Sequence, residues 1–124
     1  MSGSDDDVLR FVAATFPSVW ALEVVIALKR DRRPWTSEEL VASLRASELV
    51  VSKALDALVA AAIASVDEEG VIYLPVNADV DECVGKAEVL YRSRPNKVRR
   101  AIVAASSSSA TAFANAFKLR RDDE

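Results

Sequence analysis

The fold turns on Trp35-Thr36-Ser37-Glu38-Glu39-Leu40-Val41-Ala42-Ser43-Leu44, then Arg45-Ala46-Ser47, then Val51-Ser52-Lys53-Ala54-Leu55-Asp56-Ala57-Leu58-Val59-Ala60-Ala61-Ala62-Ile63. Thr36 followed by Glu39 is a capping box. The hydroxyl takes an orphan amide of the first helical turn, and the carboxylate reaches back to the threonine amide. The helix opened there carries Leu40, Val41 and Leu44. Arg45-Ala46 predicts a tight turn, and Ser47 caps a second helix. In that helix Val51, Ala54, Leu55, Leu58 and Ala62 recur at helical spacing and form an apolar ridge.

Two short strands follow, Ile63 to Val66 and Val71 to Leu74. They flank Asp67-Glu68-Glu69-Gly70, a polar loop ending in a glycine that can take positive φ, as a hairpin needs. Pro75 and Asn77 end the hairpin. Asp79 opens another helix with Val80, Cys83, Val84, Ala87, Leu90 and Tyr91 on one face. Arg94-Pro95-Asn96 interrupts it, and Val98, Ala101, Ile102 and Ala105 predict a further helix. Ser106 to Ser109 reads as a hinge or loop. Phe113 and Phe117, one helical turn apart, either seal the core or anchor in a partner's groove.

Upstream, Ser4 is a cap candidate, with Asp5, Asp6 and Asp7 placed to complement a helix dipole. Val8, Leu9, Phe11, Val12 and Phe16 give that helix an apolar side. Pro17-Ser18 breaks and recaps the chain. The helix through Val19, Trp20, Leu22, Val24, Val25, Ile26 and Leu28 is apolar almost all round, so it is expected at the centre of the core. Lys29, Arg30, Arg32 and Arg33 are expected to finish it, where cations suit a helix C-terminus.

Composition narrows the function classes. A chain of 124 residues, 51% apolar and 28% charged, is one globular domain or one domain with an appendage. Three glycines and four prolines are too few for a sandwich of many short strands. One cysteine, Cys83, and no histidine exclude a disulfide framework and a structural zinc site. They also remove Ser-His and Cys-His nucleophile pairs. With no phosphate loop either, a non-enzymatic protein without cofactor or metal is expected. Cys83 itself reads as a small core residue. No apolar run approaches a membrane span of about 18 residues, and the acidic start does not resemble a secretory signal, so a cytoplasmic location is expected.

Charge is divided unevenly. Residues 1–88 hold 16 of the 19 acids against eight cations, whereas Val89 to Arg121 holds eight cations and no acid. Such a split fits a tail that binds anions or docks on its own acidic domain; a solvated helix face is the plain alternative.

Helix, turn, helix and two-stranded hairpin, in that order, resemble the winged helix-turn-helix superfamily over residues 18–76. Trp35 to Leu44 resembles its strand and positioning helix, Ala46-Ser47 its turn and cap, and Val51 to Ile63 its recognition helix with the exit into the wing. Arg45 and Ala62 depart from the pattern, standing where many members have glycine, and ask for different turn geometry. The expected fold is therefore mostly α with a small β-hairpin: a winged-helix domain over residues 1–76 and a helical extension over 77–124. The extension either packs on the domain or dimerises, with residues 79–92 as the candidate dimer face.

The resemblance implies a DNA-binding transcriptional regulator whose second helix enters the major groove. Setting the Val51–Leu55–Leu58 ridge inward turns Leu49, Lys53, Asp56 and Ala60 outward, with Val50 and Ser52 beside them. The candidate contact set is Arg32, Arg33, Arg45, Ser47, Leu49, Val50, Ser52 and Lys53, with Arg30 on the same edge. The basic tail adds Arg92, Arg94, Lys97, Arg99 and Arg100, of which Arg99 is expected to be freer than Arg100. Against DNA stand Glu48, Asp56 and the hairpin acids Asp67, Glu68 and Glu69, which oppose the release of counterions. The alternative reading is the same scaffold used as a protein-interaction module, with Leu49 and Val50 as an apolar contact.

Overall fold

The computed structural model describes residues 5–105. The Ser4 cap, Ser106 to Ser109, Phe113 and Phe117 lie outside the described residues. Helix α1 (Asp5–Thr15) carries Asp5, Asp6 and Asp7 in its first turn. Helix α2 (Val19–Arg30) is capped by Ser18, whose hydroxyl accepts from the Ala21 amide at 3.3 Å. Between them Phe11 and Phe16 meet edge to face at 5.9 Å, and Phe16 is buried. Ala21, Leu22, Val24, Val25, Ile26 and Leu28 of α2 are all buried, so this helix is the core element its composition predicts. Burying each large aliphatic contributes about 1.5–3 kcal/mol relative to exposure, which outweighs the modest helix propensity of its valines.

Arg32 and Arg33 do not finish α2. Asp31 is already its C-cap, in extended geometry, because the Trp35 indole N–H donates to the Asp31 carbonyl at 2.9 Å and draws the chain away. Both sides of the Thr36–Glu39 capping box are made at the start of α3 (Ser37–Leu44), at 3.1 and 2.9 Å. Arg45 takes left-handed backbone geometry at φ 54°, and Ser47 caps α4 (Glu48–Ala60), accepting from the Val50 amide at 3.1 Å. Val51, Ala54, Leu55 and Leu58 are the buried face of α4. Ala62 does not continue this ridge: the helix stops first, Ala62 is exposed, and its φ of 61° turns the chain into the hairpin. Arg45 and Ala62 are thus both left-handed residues, at the two positions where the resemblance expects glycine.

Strands β1 (Ala64–Asp67) and β2 (Gly70–Tyr73) run antiparallel in the register Ala64–Tyr73, Ser65–Ile72, Val66–Val71 and Asp67–Gly70. Each lies close to its expected position, displaced by one residue in opposite directions, because pairing starts across the two-residue turn Glu68-Glu69. Asp67 Oδ1 accepts from the Glu69 and Gly70 amides at 2.8 and 3.2 Å and stabilises that turn. Trp35 adds a one-residue third strand: its amide and carbonyl both pair with Val71 at 2.8 Å.

Asn77, rather than Asp79, caps α5 (Ala78–Ser93), accepting from the Val80 amide at 2.9 Å. The chain breaks at Arg94, and Pro95 opens a further helix, α6, of which residues 95–105 are described, at a position where proline's missing amide costs nothing. Val84, Ala87 and Leu90 of α5 and Val98 and Ile102 of α6 join Val8, Val12 and the α2–α4 residues in one continuous core. The architecture is mostly α with one two-stranded antiparallel hairpin, compatible with a winged-helix-like fold. Among the described residues no single helix is long and apolar enough to cross a membrane.

Candidate interaction surface

Helix α4 presents the face that its periodicity predicts. Leu49, Ser52, Lys53, Asp56 and Ala60 are exposed, and Val50 is half-buried. Leu49 is 64% exposed, a large aliphatic side chain standing in water in the first turn of the helix. Glu48 and Asp56 share that helix with Lys53, so its polar surface is slightly acidic. Asp67, Glu68 and Glu69, all exposed, put three more acids at the hairpin turn.

The cations expected beside α4 are largely absorbed by the protein. The Arg33 guanidinium donates to Asp31 at 2.9 Å and to Glu39 at 3.1 Å, and lies 4.1 Å over the Trp35 ring. Its hydrogen bond to Asp31, then that to Glu39, holds its pKa above the ordinary arginine value. The Thr36 amide, then Arg33, holds the Glu39 carboxyl below the usual range. Arg32 lies 5.1 Å over Tyr73, and Arg30 pairs with Glu88 at 3.6 Å. Arg45 and Lys53 are exposed and make no ion pair shorter than 4 Å among the described residues.

Three of the basic tail residues, Arg92, Arg99 and Arg100, bond within α5 and α6. Arg92 pairs with Glu88 at 3.1 Å, and the Arg100 Nε donates to the Asn96 carbonyl at 3.4 Å. Arg99 is not the freer of its pair. Its guanidinium donates to the Tyr91 hydroxyl at 3.3 Å and lies 5.7 Å from the ring centre. Arg94 caps α5 and is exposed, and Lys97 is half-buried. Helical phase alone favoured Arg99 for freedom, but an aromatic eight residues back supplies a partner.

Three groupings escaped the sequence reading. Glu88 is only 8% exposed and gathers Lys29, Arg30 and Arg92 around one carboxylate. Its position four residues after Val84 and three before Tyr91 puts it on the apolar stripe, which is the signal that was available. The Tyr73 hydroxyl donates to Asp81 at 2.6 Å, tying the hairpin to α5. Burial first, and this hydrogen bond second, push the Tyr73 pKa far above its ordinary value. The Tyr91 hydroxyl donates to Glu23 at 3.0 Å, and burial is the main cause of its raised pKa.

A groove of about 780 Å³ opens between the end of α1, the C-terminal half of α4 and Ala105 of α6. Among the described residues its wall includes Phe11, Thr15, Pro17, Ala57, Ala60 and Ala105, and no charged side chain. No group of three or more potential metal ligands converges among the described residues. Comparison with protein-family models, with curated protein sequences and with solved structures finds no match to this chain.

Proposed function

We propose that this chain is a winged-helix protein-interaction module whose contact face is the outer side of α4. The observation carrying this reading is Leu49. It is 64% exposed on a face with one cation, Lys53, and two flanking acids, Glu48 and Asp56. A side chain of that size contributes most when a partner removes it from water, and its acidic surroundings favour a partner that is apolar and basic. An amphipathic helix with basic residues beside its apolar stripe meets that description.

DNA binding, in the role of a transcriptional regulator, is the second reading. It is favoured by Arg45 and Lys53, which are exposed without ion pairs among the described residues, and by the hydroxyls of Ser47 and Ser52 on the same side. It is opposed by the three acids of the hairpin turn, which would lie against phosphate.

The two readings separate in one set of measurements on wild type, Leu49→Asp and Lys53→Glu. Random duplex binding is followed at low and moderate salt beside sedimentation and site-specific cross-linking from position 52, which is exposed on the same face. The interaction reading expects negligible duplex binding and a discrete protein adduct that Leu49→Asp removes while the fold is kept. Duplex binding that weakens steeply with salt and is lost in Lys53→Glu would overturn it in favour of DNA.

A further inference from the structure

We propose that the outer side of α5 is a self-association surface on which a second copy of the chain docks antiparallel. Val89 of each copy enters the notch at Gly85 of the other, and Glu82 meets Arg92 at both ends. This surface shares no residue with the outer side of α4, so the inference stands apart from the reading given above.

The surface is unpartnered within the chain. Val84, Ala87, Glu88 and Leu90 are the buried side of α5. The side turned away carries Glu82, Gly85, Val89 and Arg92, and Val89 is 60% exposed. These four positions are spaced three, four and three residues apart, the spacing of a seam that faces another helix. A hollow of about 840 Å³ opens over them, bounded on its far side by Asp5 and Val8 of α1, and no described residue fills it.

Gly85 supplies the shape. A Cβ there would meet no atom within 4 Å, so the fold of a single chain gives no steric reason for glycine, and glycine weakens the interior of a helix. Its missing side chain leaves a notch one turn from Val89. A second helix, related by a two-fold axis at the level of Ala87 and running the opposite way, places its Val89 over this notch. The same axis places the first copy's Val89 over the second copy's Gly85, so one contact is made twice.

Charge fixes the orientation. Helix α5 has Asp79, Asp81 and Glu82 in its first half and Arg92 in its last turn, with Arg94 as its cap. The axis that pairs Val89 with Gly85 also sets Glu82 against the second copy's Arg92. A parallel arrangement would stack acid on acid and cation on cation. Glu82 pairs with Lys86 at 3.0 Å and Arg92 with Glu88 at 3.1 Å, but their side chains are 62% and 64% exposed, so each keeps room for a further partner. Lys86, close to the axis, is neutralised by its own Glu82. A seam of this length is small for a specific interface, and the dimer is expected to form reversibly with concentration.

The test is sedimentation equilibrium on the full chain up to millimolar concentration. Wild type should dimerise. Glu82→Arg and Arg92→Glu should each weaken the dimer about tenfold or more, because two like-charged pairs then meet. An equimolar mixture of these two variants should recover it, since one chain then carries cations at both positions and the other acids. Val89→Asp should abolish the dimer, and circular dichroism melts check that each variant is folded. Should Arg92→Glu unfold beside Glu88, the Val89→Asp result decides alone. A wild type that stays monomeric over the whole range overturns the proposal, as does a dimer that survives Val89→Asp or a mixture no stronger than its components. Leu49→Asp leaves the dimer intact, so failure of the α4 contact and failure of this pairing are distinguishable. A dimer lost in Leu49→Asp and kept in Val89→Asp overturns the proposal too, because the second copy then sits on α4.

Discussion

The Lys29 ammonium and the Glu88 carboxylate, 59 residues apart in the chain, stand 3.2 Å from each other and fasten the C-terminal turn of α2 to the middle of α5. Arg30 and Arg92 complete the cluster at 3.6 and 3.1 Å, but their side chains are about two-thirds exposed, so solvent screens them. Lys29, at 23%, is the partner with most at stake. Glu88→Gln should cost about 1–2 kcal/mol in urea unfolding, because it leaves a half-buried ammonium without its counter-charge. Glu88→Leu should cost more, because it also removes the side-chain oxygen to which Lys29 donates; equal losses in the two variants would show that charge alone matters.

Gly70 is held by two independent constraints. Its φ is +138°, and a Cβ there would run into the Trp35 carbonyl that pairs with Val71. Gly70→Ala should therefore destabilise the protein by about 2–4 kcal/mol in chemical denaturation, more than strained backbone alone explains. A loss under about 0.5 kcal/mol would mean that the Trp35 bridge yields freely.

Arg45 and Ala62 pose the opposite case. Each sits at positive φ with a side chain that gains nothing from that geometry. Left-handed backbone costs an L-residue about 1–2 kcal/mol, part of which returns as entropy in the unfolded chain when glycine replaces it. Arg45→Gly and Ala62→Gly should each raise stability by about 0.5–1 kcal/mol. The two gains should be additive, since the residues bracket α4 from opposite ends and share no hydrogen bond.

Tyr73 makes stability sensitive to alkali. Its phenol is protonated in the fold well above the pH at which an unfolded tyrosine ionises, because burial and the bond to Asp81 both favour the neutral form. The folded pKa is the raised one. The stabilisation is therefore complete below about pH 10 and declines as pH rises above that value, where only the unfolded state loses its proton. Thermal melts between pH 9 and pH 11 should show a fall in midpoint that Tyr73→Phe reduces. An equal fall in the variant would assign the effect elsewhere.

What the sequence made legible is mostly local. The Thr36–Glu39 box, the Ser18 and Ser47 caps, the break at Pro95 and the outward turn of Leu49 each follow from contacts within a few residues, and all appear where expected. The limits of α2 and α4 were missed because remote groups decide them: the Trp35 indole draws off Asp31, and the hairpin takes Val76 back to the Ala62 carbonyl at 2.9 Å. Glu88 was overlooked for a similar reason. An acid inside an apolar stripe looks like an interruption until a lysine from 59 residues away is seen to neutralise it. The exposed face of α4 was readable in outline, but how much free basic charge surrounds it was not, since Arg32 and Arg33 find aromatic and acidic partners only in three dimensions.

The one-residue bridge at Trp35 also furnishes the molecule with an optical gauge. Trp35 is 9% exposed, its indole bonded to Asp31 and covered by Arg33, whereas Trp20 is 38% exposed on α2. Red-shifted, quencher-accessible emission belongs to Trp20, and the blue, protected component to Trp35. With Trp20→Phe in the background, fluorescence reads out a single event, the peeling of the hairpin from the end of α2, in real time and without an attached dye.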